Sequence, residues 1–149
     1  MLSYDEIFSR ALNRINDPKE LSLNENDFTE MYVERLHSVI GKPRVRKLFS
    51  SIVLDDDMQE IDFTLRNTVD EYSDKDFVIN LFVIGVTIEW LQPQVDSLAQ
   101  TIISYGTKEE KVMVNNYKTL VERLRNLKVE QNKLIRDYGY LYNSYISGE

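Results

Sequence analysis

The chain has 149 residues, a length typical of one domain, and a formal net charge of −7. This acidity argues against a protein whose whole surface binds nucleic acid or anionic lipid. The absence of cysteine excludes disulfides and cysteine nucleophiles, and a single histidine excludes a two-histidine metal site.

Composition and hydropathy also restrict the class of protein. Five glycines and three prolines predict few loops and much helix. Residues 1–6 are acidic and lack the basic stretch and apolar run of a secretory signal. The longest apolar segment, residues 77–91, is shorter than the ~20 residues that a membrane-spanning helix needs. We therefore expect a protein made in a reducing cytoplasm, with no membrane partner.

A first amphipathic helix is predicted near the N-terminus. Ser3 and Glu6 form the S-x-x-E pattern of a capping box, in which hydroxyl and carboxylate bond to free backbone amides. Apolar residues follow at helical spacing to about Asn16, and Pro18 marks the end of the helix. Carboxylates in the first turn favour the positive end of the helix dipole, so we interpret them as caps rather than catalytic acids.

A second amphipathic helix begins near Asn24 or Asn26 and ends at Gly41. His37 lies among its apolar positions and is interpreted as a packing residue. A basic segment follows, with four side chains that could contact phosphate: Lys42, Arg44, Arg46 and Lys47. Residues 31–47 carry a net charge of +4, whereas residues 48–106 carry −9. Complementary patches on neighbouring subunits explain this segregation equally well.

The period of apolar residues changes from 3.6 to 2 after Ser50, which predicts a β-hairpin over about residues 50–66. Five apolar residues alternate along its two strands: Ile52, Leu54, Ile61, Phe63 and Leu65. The acidic run at residues 55–57 lacks the ligand spacing of a calcium loop and is interpreted as a polar turn.

The apolar face of this hairpin is a candidate protein interface. An isolated pair of strands is marginally stable in water, so the face should lean on a helix or be completed by another subunit. Both an ordinary hairpin folded onto its own core and an intermolecular hairpin remain open. We expect the hairpin to work between molecules.

A central core helix is predicted over residues 77–91, which are apolar on nearly all sides. Residues 73–76 supply a plausible N-terminal cap, Gly85 permits a close helix contact, and Pro93 marks the end. Glu89 lies within the apolar segment, where burial could raise the pKa of its carboxyl group. We interpret Glu89 as a helix-end residue paired with a cation, because no second convergent acid is evident.

A shorter helix over residues 95–103 ends at Gly106, and a capping box from Thr107 to Glu110 opens a long helix. Its apolar residues are spaced alternately by four and three, as in a coiled-coil seam. They are Met113, Tyr117, Leu120, Leu124, Leu127, Leu134 and Tyr138, with Gln131 at one seam position. Further apolar residues widen the stripe, which favours packing against the chain's own bundle. Residues 107–138 span ~48 Å as a helix, against a domain diameter of ~38 Å, so one end should project.

The C-terminal tail, residues 139–149, is rich in tyrosine. Tyr138, Tyr140, Tyr142 and Tyr145 fall within eight residues. A terminal segment has few neighbours that can bury so many rings, and aromatic rings are common interface anchors. We expect these tyrosines to contact a neighbouring subunit or another protein. A tail folded back onto its own bundle is the alternative.

No sequence motif for catalysis is present. The chain has no phosphate-binding glycine loop, no G-x-S-x-G motif and no H-E-x-x-H motif. We therefore predict a protein that is not an enzyme, with no catalytic residue, no cofactor and no metal site.

Several sequence blocks resemble those of small structural proteins of tailed bacteriophages, and the likeness covers nearly the whole chain. The blocks are Ser3-Tyr4-Asp5-Glu6-Ile7-Phe8, Gly41-Lys42-Pro43 leading to Leu48-Phe49-Ser50-Ser51-Ile52, Glu89-Trp90-Leu91-Gln92-Pro93-Gln94-Val95, and Ile135-Arg136-Asp137-Tyr138 with Asn143-Ser144-Tyr145. The protein resembles the head–tail connector (adaptor) family. This resemblance implies one mainly α domain over residues 1–149, a helical bundle with a long C-terminal helix, an inserted hairpin and an extended C-terminal tail.

The resemblance also implies a function. Connectors of this family form a homo-oligomeric ring, commonly of twelve copies, beneath the portal protein. The ring extends the DNA channel and docks the next connector or tail protein, often through extended termini. The implied location is the head–tail junction of the virion, after synthesis in the bacterial cytoplasm, with DNA passing without sequence-specific binding. The alternative is a small phage packaging or regulatory protein that binds nucleic acid through the basic segment, which salt-dependent DNA binding would reveal.

Overall fold

The computed structural model describes residues 1–104 and 108–139 of the chain. Nine elements follow one another in this described part: β1 (Leu2–Ser3), α1 (Tyr4–Ile15), α2 (Pro18–Leu21), α3 (Glu25–Ile40), α4 (Pro43–Arg46), β2 (Phe49–Asp55), β3 (Glu60–Leu65), α5 (Glu71–Ser104) and α6 (Lys108–Gly139). The fold is mainly helical with a small antiparallel sheet, which confirms the predicted class. The short helices α2 and α4 were not predicted.

The first two long helices begin where the sequence predicts. Ser3 and Glu6 form the reciprocal capping box at α1, and Asn16 ends that helix in the left-handed conformation with φ of 49°. The Asn24 side chain accepts a hydrogen bond from the backbone N–H of Asp27 and caps α3. These ends are specified by local hydrogen bonds, so they can be identified without knowledge of the fold.

The predicted hairpin is part of a three-stranded sheet with the order β1-β3-β2. All pairs are antiparallel, with Leu2 opposite Ile61 and Ile52 opposite Phe63. Strand β1 has two residues and was not predicted, because so short a strand carries no visible periodicity. The order of strands leaves β2 at one edge of the sheet.

The central helix α5 differs from the prediction at both ends. It begins at Glu71 rather than near Ser73, since the Asp70 carboxylate accepts a hydrogen bond from the Ser73 backbone N–H at 2.7 Å. It also continues through Pro93 to Ser104, so the two predicted helices are one. Proline leaves one backbone carbonyl of the preceding turn without its helical partner. Burial of Leu91 and Val95 on either side favours continuation of the helix.

The core lies around α5, which packs against α1, α3 and α6. Gly85 allows the close helix contact that the sequence predicts. A Cβ atom at this position would lie 2.5 Å from Cγ1 of Val39, so α3 could not approach α5 as closely if the residue carried a side chain.

Helix α6 packs on α5 through the predicted seam. Leu124 and Leu127 of the seam are buried, as is Ile135 beside it, and the remaining seam residues are partly buried. The C-terminal end of α6 lies on the core, where Tyr138 stacks on Phe77 with ring centroids 4.2 Å apart. In residues 96–101 and 112–123, by contrast, every side chain is partly buried or exposed. The α5–α6 end therefore projects, and we call residues 95–104 and 108–123 the arm.

Candidate interaction surfaces

The structure places the predicted hairpin interface in the chain's own core. Ile52, Ile61 and Leu65 are buried, whereas Leu54 and Phe63 are partly buried. Phe49, at the start of β2, stacks on Phe82 of α5 with ring centroids 5.9 Å apart. The chain's own core thus covers Ile52, Ile61 and Leu65, and the expectation that these three side chains need another subunit is corrected.

Tyr138 is also an internal contact rather than a free anchor. Its ring lies on Phe77, and its hydroxyl donates a hydrogen bond to the Asp74 carboxylate. The sequence predicts that one end of this helix projects, but the C-terminal end, which leads to the tail, packs against the start of α5. Tyr140, Tyr142 and Tyr145 lie outside the described residues, as do Gly106 and Thr107.

The basic segment is partly used for contacts within the chain. Lys42 forms a 2.8 Å ion pair with Glu89, and Arg44 donates a hydrogen bond to Asn132 of α6. The Arg46 guanidinium donates to the Ile52 carbonyl oxygen at 3.4 Å. Lys47 is exposed at the end of α4. The predicted pairing of Glu89 with a cation is confirmed, although Glu89 lies within α5 and not at its end.

A hydrogen-bonded group joins the hairpin turn to α1 and α3. The Tyr4 hydroxyl donates to the Asp56 carboxylate at 2.5 Å, and His37 Nε2 lies 2.9 Å from the same carboxylate. His37 was predicted to pack in the core, but its side chain is 49% exposed. Its polar partner comes from a turn 19 residues away, which the helical pattern could not reveal.

The pKa values in this group follow from the contacts. The hydrogen bonds from Tyr4 and from His37 lower the pKa of Asp56 below its usual value. Burial raises the pKa of Tyr4, and the neighbouring Asp56 carboxylate adds to this effect. The phenol therefore stays protonated, and the carboxylate stays ionised, at neutral pH. These contacts hold residues 55–57 in place, and they form the polar turn that the sequence predicts. The Asp55 carboxylate also accepts backbone hydrogen bonds from Asp57 and Met58.

A second polar group was missed by sequence reasoning. Arg35 of α3 forms a 3.0 Å ion pair with Glu20 of α2, and its guanidinium lies 5.0 Å from the Tyr32 ring centroid. Burial, followed by the nearby Glu20 charge, raises the pKa of Tyr32 to about 12. The residues are separated by a helix boundary, so their spacing alone gives no signal. Their contacts fix α2 against α3.

The arm carries a groove of about 420 Å³ between its two helices. Leu98 of α5 and Leu120 of α6 line it together with polar residues such as Ser97 and Thr101. Both leucines are partly buried, so their apolar surface remains accessible from solvent. The residues that line this groove come from α5 and α6 alone.

The described residues offer no assembled metal site, since no three His, Asp or Glu side chains converge in residues 1–104 and 108–139. Within the same residues, Glu71–Thr101 is one helix long and apolar enough to cross a membrane. Most of its most apolar window is buried inside the protein, as expected of the core helix of a folded domain. Comparisons of the chain with protein-family models, curated proteins and solved structures found no match.

Proposed function

We propose that the protein is a structural component of a phage virion, a head–tail connector that assembles as a homo-oligomeric ring below the portal protein. The proposal starts from the sequence blocks that resemble this family. The structural observation that carries it is the arm, because its two long helices leave the apolar side chains of Leu98 and Leu120 only partly buried in an open groove. Exposed apolar surface of this kind is typical of protein interaction sites.

The polar groups of the described residues support an assembly role better than a catalytic one. Tyr4, His37 and Asp56 bond to one another across three elements, and Glu20 and Arg35 pair across two. Each group joins parts of the fold. We propose that the protein is not an enzyme.

The arm would supply contacts between neighbouring subunits of the ring. Leu98→Lys places a charge in the arm groove while its aliphatic stem can still lie along the apolar surface. Val129→Lys is a matched control, because Val129 lies on the main body of α6 and is 58% exposed. Native mass spectrometry of each protein, alone and with the portal protein, measures assembly, and circular dichroism checks that the helix content is unchanged.

We expect the unmodified chain to form a closed oligomer and to bind the portal protein. Leu98→Lys should weaken assembly at least tenfold, which corresponds to about 1.4 kcal/mol, while Val129→Lys should assemble normally. A chain that stays monomeric at all concentrations and does not bind the portal protein would refute the proposed function. Equal assembly of both variants would refute the role of the arm.

The nucleic-acid alternative has less support in the structure. Lys42 and Arg44 already contact Glu89 and Asn132, and Arg46 donates to the Ile52 carbonyl oxygen, so three of the four basic side chains are engaged within the chain. A DNA-binding role predicts affinity that falls steeply with salt and weakens when Arg46 and Lys47 are changed to alanine. A connector predicts neither effect. Titration of duplex DNA at two salt concentrations decides between the two.

A further inference from the structure

The free edge of β2 has the properties of a site for an added strand. An edge strand turns alternate backbone N–H and C=O groups away from its sheet, and proteins commonly protect such edges with lysine or proline. Strand β2, Phe49–Asp55, contains neither residue, and Val53 on its outer face is 64% exposed. In the described part of the chain, β2 pairs with β3 alone.

The backbone at Ile52 shows which groups are available. Its carbonyl oxygen accepts a long, 3.4 Å hydrogen bond from the Arg46 guanidinium. In an antiparallel strand the N–H and C=O of one residue point the same way, so Ile52 turns both groups to the free edge. Leu54, two residues on, repeats this orientation. A peptide strand on this edge would give these groups backbone partners.

The chain's own tail supplies a strand of matching length. Residues 140–146 read Tyr-Leu-Tyr-Asn-Ser-Tyr-Ile, seven residues against the seven of β2. They carry no charge, no proline and no glycine, and tyrosine and isoleucine favour β-strands. We propose that residues 140–146 of one copy add as a fourth strand to the β2 edge of a neighbouring copy.

Two observations favour a neighbouring copy over the same chain. Tyr138 lines one small cavity with Leu48 and Leu65, so α6 ends beside the start of β2. A tail that returned to its own β2 would run parallel to it, whereas every pair in the sheet is antiparallel. A tail from another copy can enter from the far end. Tail and edge are different surfaces, and such a heterologous contact closes into a ring when its rotation allows.

This inference rests on the proposed function, because a ring requires a repeated contact of this type. The absence of cysteine in the chain makes a disulfide test clean. One protein carries Val53→Cys, and a second, isotopically labelled protein carries one cysteine at position 140, 141, 142, 143 or 144. The two are mixed under mild oxidation, and mass spectrometry identifies disulfides between labelled and unlabelled chains. Val129→Cys replaces Val53→Cys in the control, since both valines are similarly exposed.

We expect disulfides with Val53→Cys that alternate along the tail with a period of two, and at least tenfold fewer with Val129→Cys. Tyr142→Pro should reduce the yield at least tenfold by removing a backbone donor and fixing φ, whereas Gly148→Pro, beyond the proposed strand, should not. A third protein carries both Val53→Cys and a tail cysteine. If its disulfide forms within one chain, the tail pairs with its own β2 and the inference is overturned.

Failure of this inference can be separated from failure of the proposed function. A ring that forms without any preferred disulfide between tail and β2 would overturn the strand contact and leave the connector proposal standing. A chain that neither assembles nor forms the disulfide would overturn both. Disulfides without periodicity, or equal with Val53→Cys and Val129→Cys, would show contact without strand pairing and would also reject the inference.

Discussion

The contact between Gly85 and Val39 gives the sharpest test of the core. In Gly85→Ala the new methyl group would lie 2.5 Å and 2.9 Å from the two γ-carbons of Val39, which is 1% exposed. Overpacking of this kind costs about 1 to 3 kcal/mol, and these two contacts favour the upper part of that range. Alanine recovers roughly 1 kcal/mol through its higher helix propensity. We expect a net loss of about 2 kcal/mol in the free energy of unfolding.

The assay is urea unfolding followed by circular dichroism, with thermal unfolding as a second measurement. A loss of about 2 kcal/mol should lower Tm by about 4 to 8 °C for a domain of this size. Val39→Ala alone should also cost about 2 kcal/mol, because it leaves a cavity. In the double variant the alanine methyl occupies part of that cavity. The loss of unfolding free energy in the double variant should therefore be at least 1 kcal/mol smaller than the sum of the losses in the two single variants.

Gly41→Ala is the matched control. Gly41 has an ordinary helical φ of −68°, and the nearest atom to a new Cβ would be a backbone oxygen at 3.3 Å. We expect its effect to stay within about 1 kcal/mol. A Gly85→Ala protein as stable as the unmodified chain, or additive losses in the double variant, would show that α3 and α5 do not meet at this glycine.

Three further predictions concern polar and aromatic contacts. Asp56→Asn should destabilise the fold at pH 7. The difference in unfolding free energy between this variant and the unmodified chain should shrink as pH falls below about 4, because the hydrogen bonds that lower the pKa of Asp56 stabilise the fold only while its carboxylate is ionised. Urea unfolding at several pH values measures this difference. The Lys42–Glu89 pair should show a coupling below about 1 kcal/mol in a double-mutant cycle with Lys42→Met and Glu89→Gln, because Lys42 is 55% exposed. Tyr138→Ala should cost about 3 kcal/mol through the lost stack on Phe77, whereas deletion of residues 140–149 should leave Tm of the isolated monomer nearly unchanged.

Each of these predictions has a contradicting result. Asp57→Asn is the control for the pH series, and an equal pH-dependent loss there would assign the effect to the net charge of the turn. A coupling of several kcal/mol between Lys42 and Glu89 would mean that the pair is far better shielded from water than its exposure indicates. A large loss of monomer stability on deletion of the tail would show that the tyrosines fold back onto the bundle.

Local signals account for the parts of the fold that the sequence predicts. Ser3 with Glu6, and Asn24 with Asp27, form hydrogen bonds within one turn, so their effect does not depend on the rest of the chain. The seam of α6 is predictable for a similar reason. A regular alternation of four and three places its apolar residues on one side whatever helix lies opposite.

The errors arise where distant residues decide the outcome. His37 was assigned to the core from its place in the helix, but Asp56 holds it at the surface. Pro93 was read as a helix end, since its local effect is to remove a hydrogen bond, but the packing of α5 continues on both sides of it. Strand β1 exists only because β3 offers Ile61 and Glu60 as partners. A pattern within one segment does not contain these contacts.

The continuation of α5 through Pro93 also changes how an assembly would be organised. If α5 ended there, the free end of α6 would be its C-terminus, and the tail would reach partners from a projecting helix. With α5 extended to Ser104, the arm projects instead, and stacking of Tyr138 on Phe77 holds the other end of α6 against the core. Helix α6 then ends beside Leu48, at the level of the sheet. The two surfaces proposed for assembly, the arm and the β2 edge, therefore lie on separate parts of the molecule, so Leu98→Lys and Tyr142→Pro test independent contacts of the proposed ring.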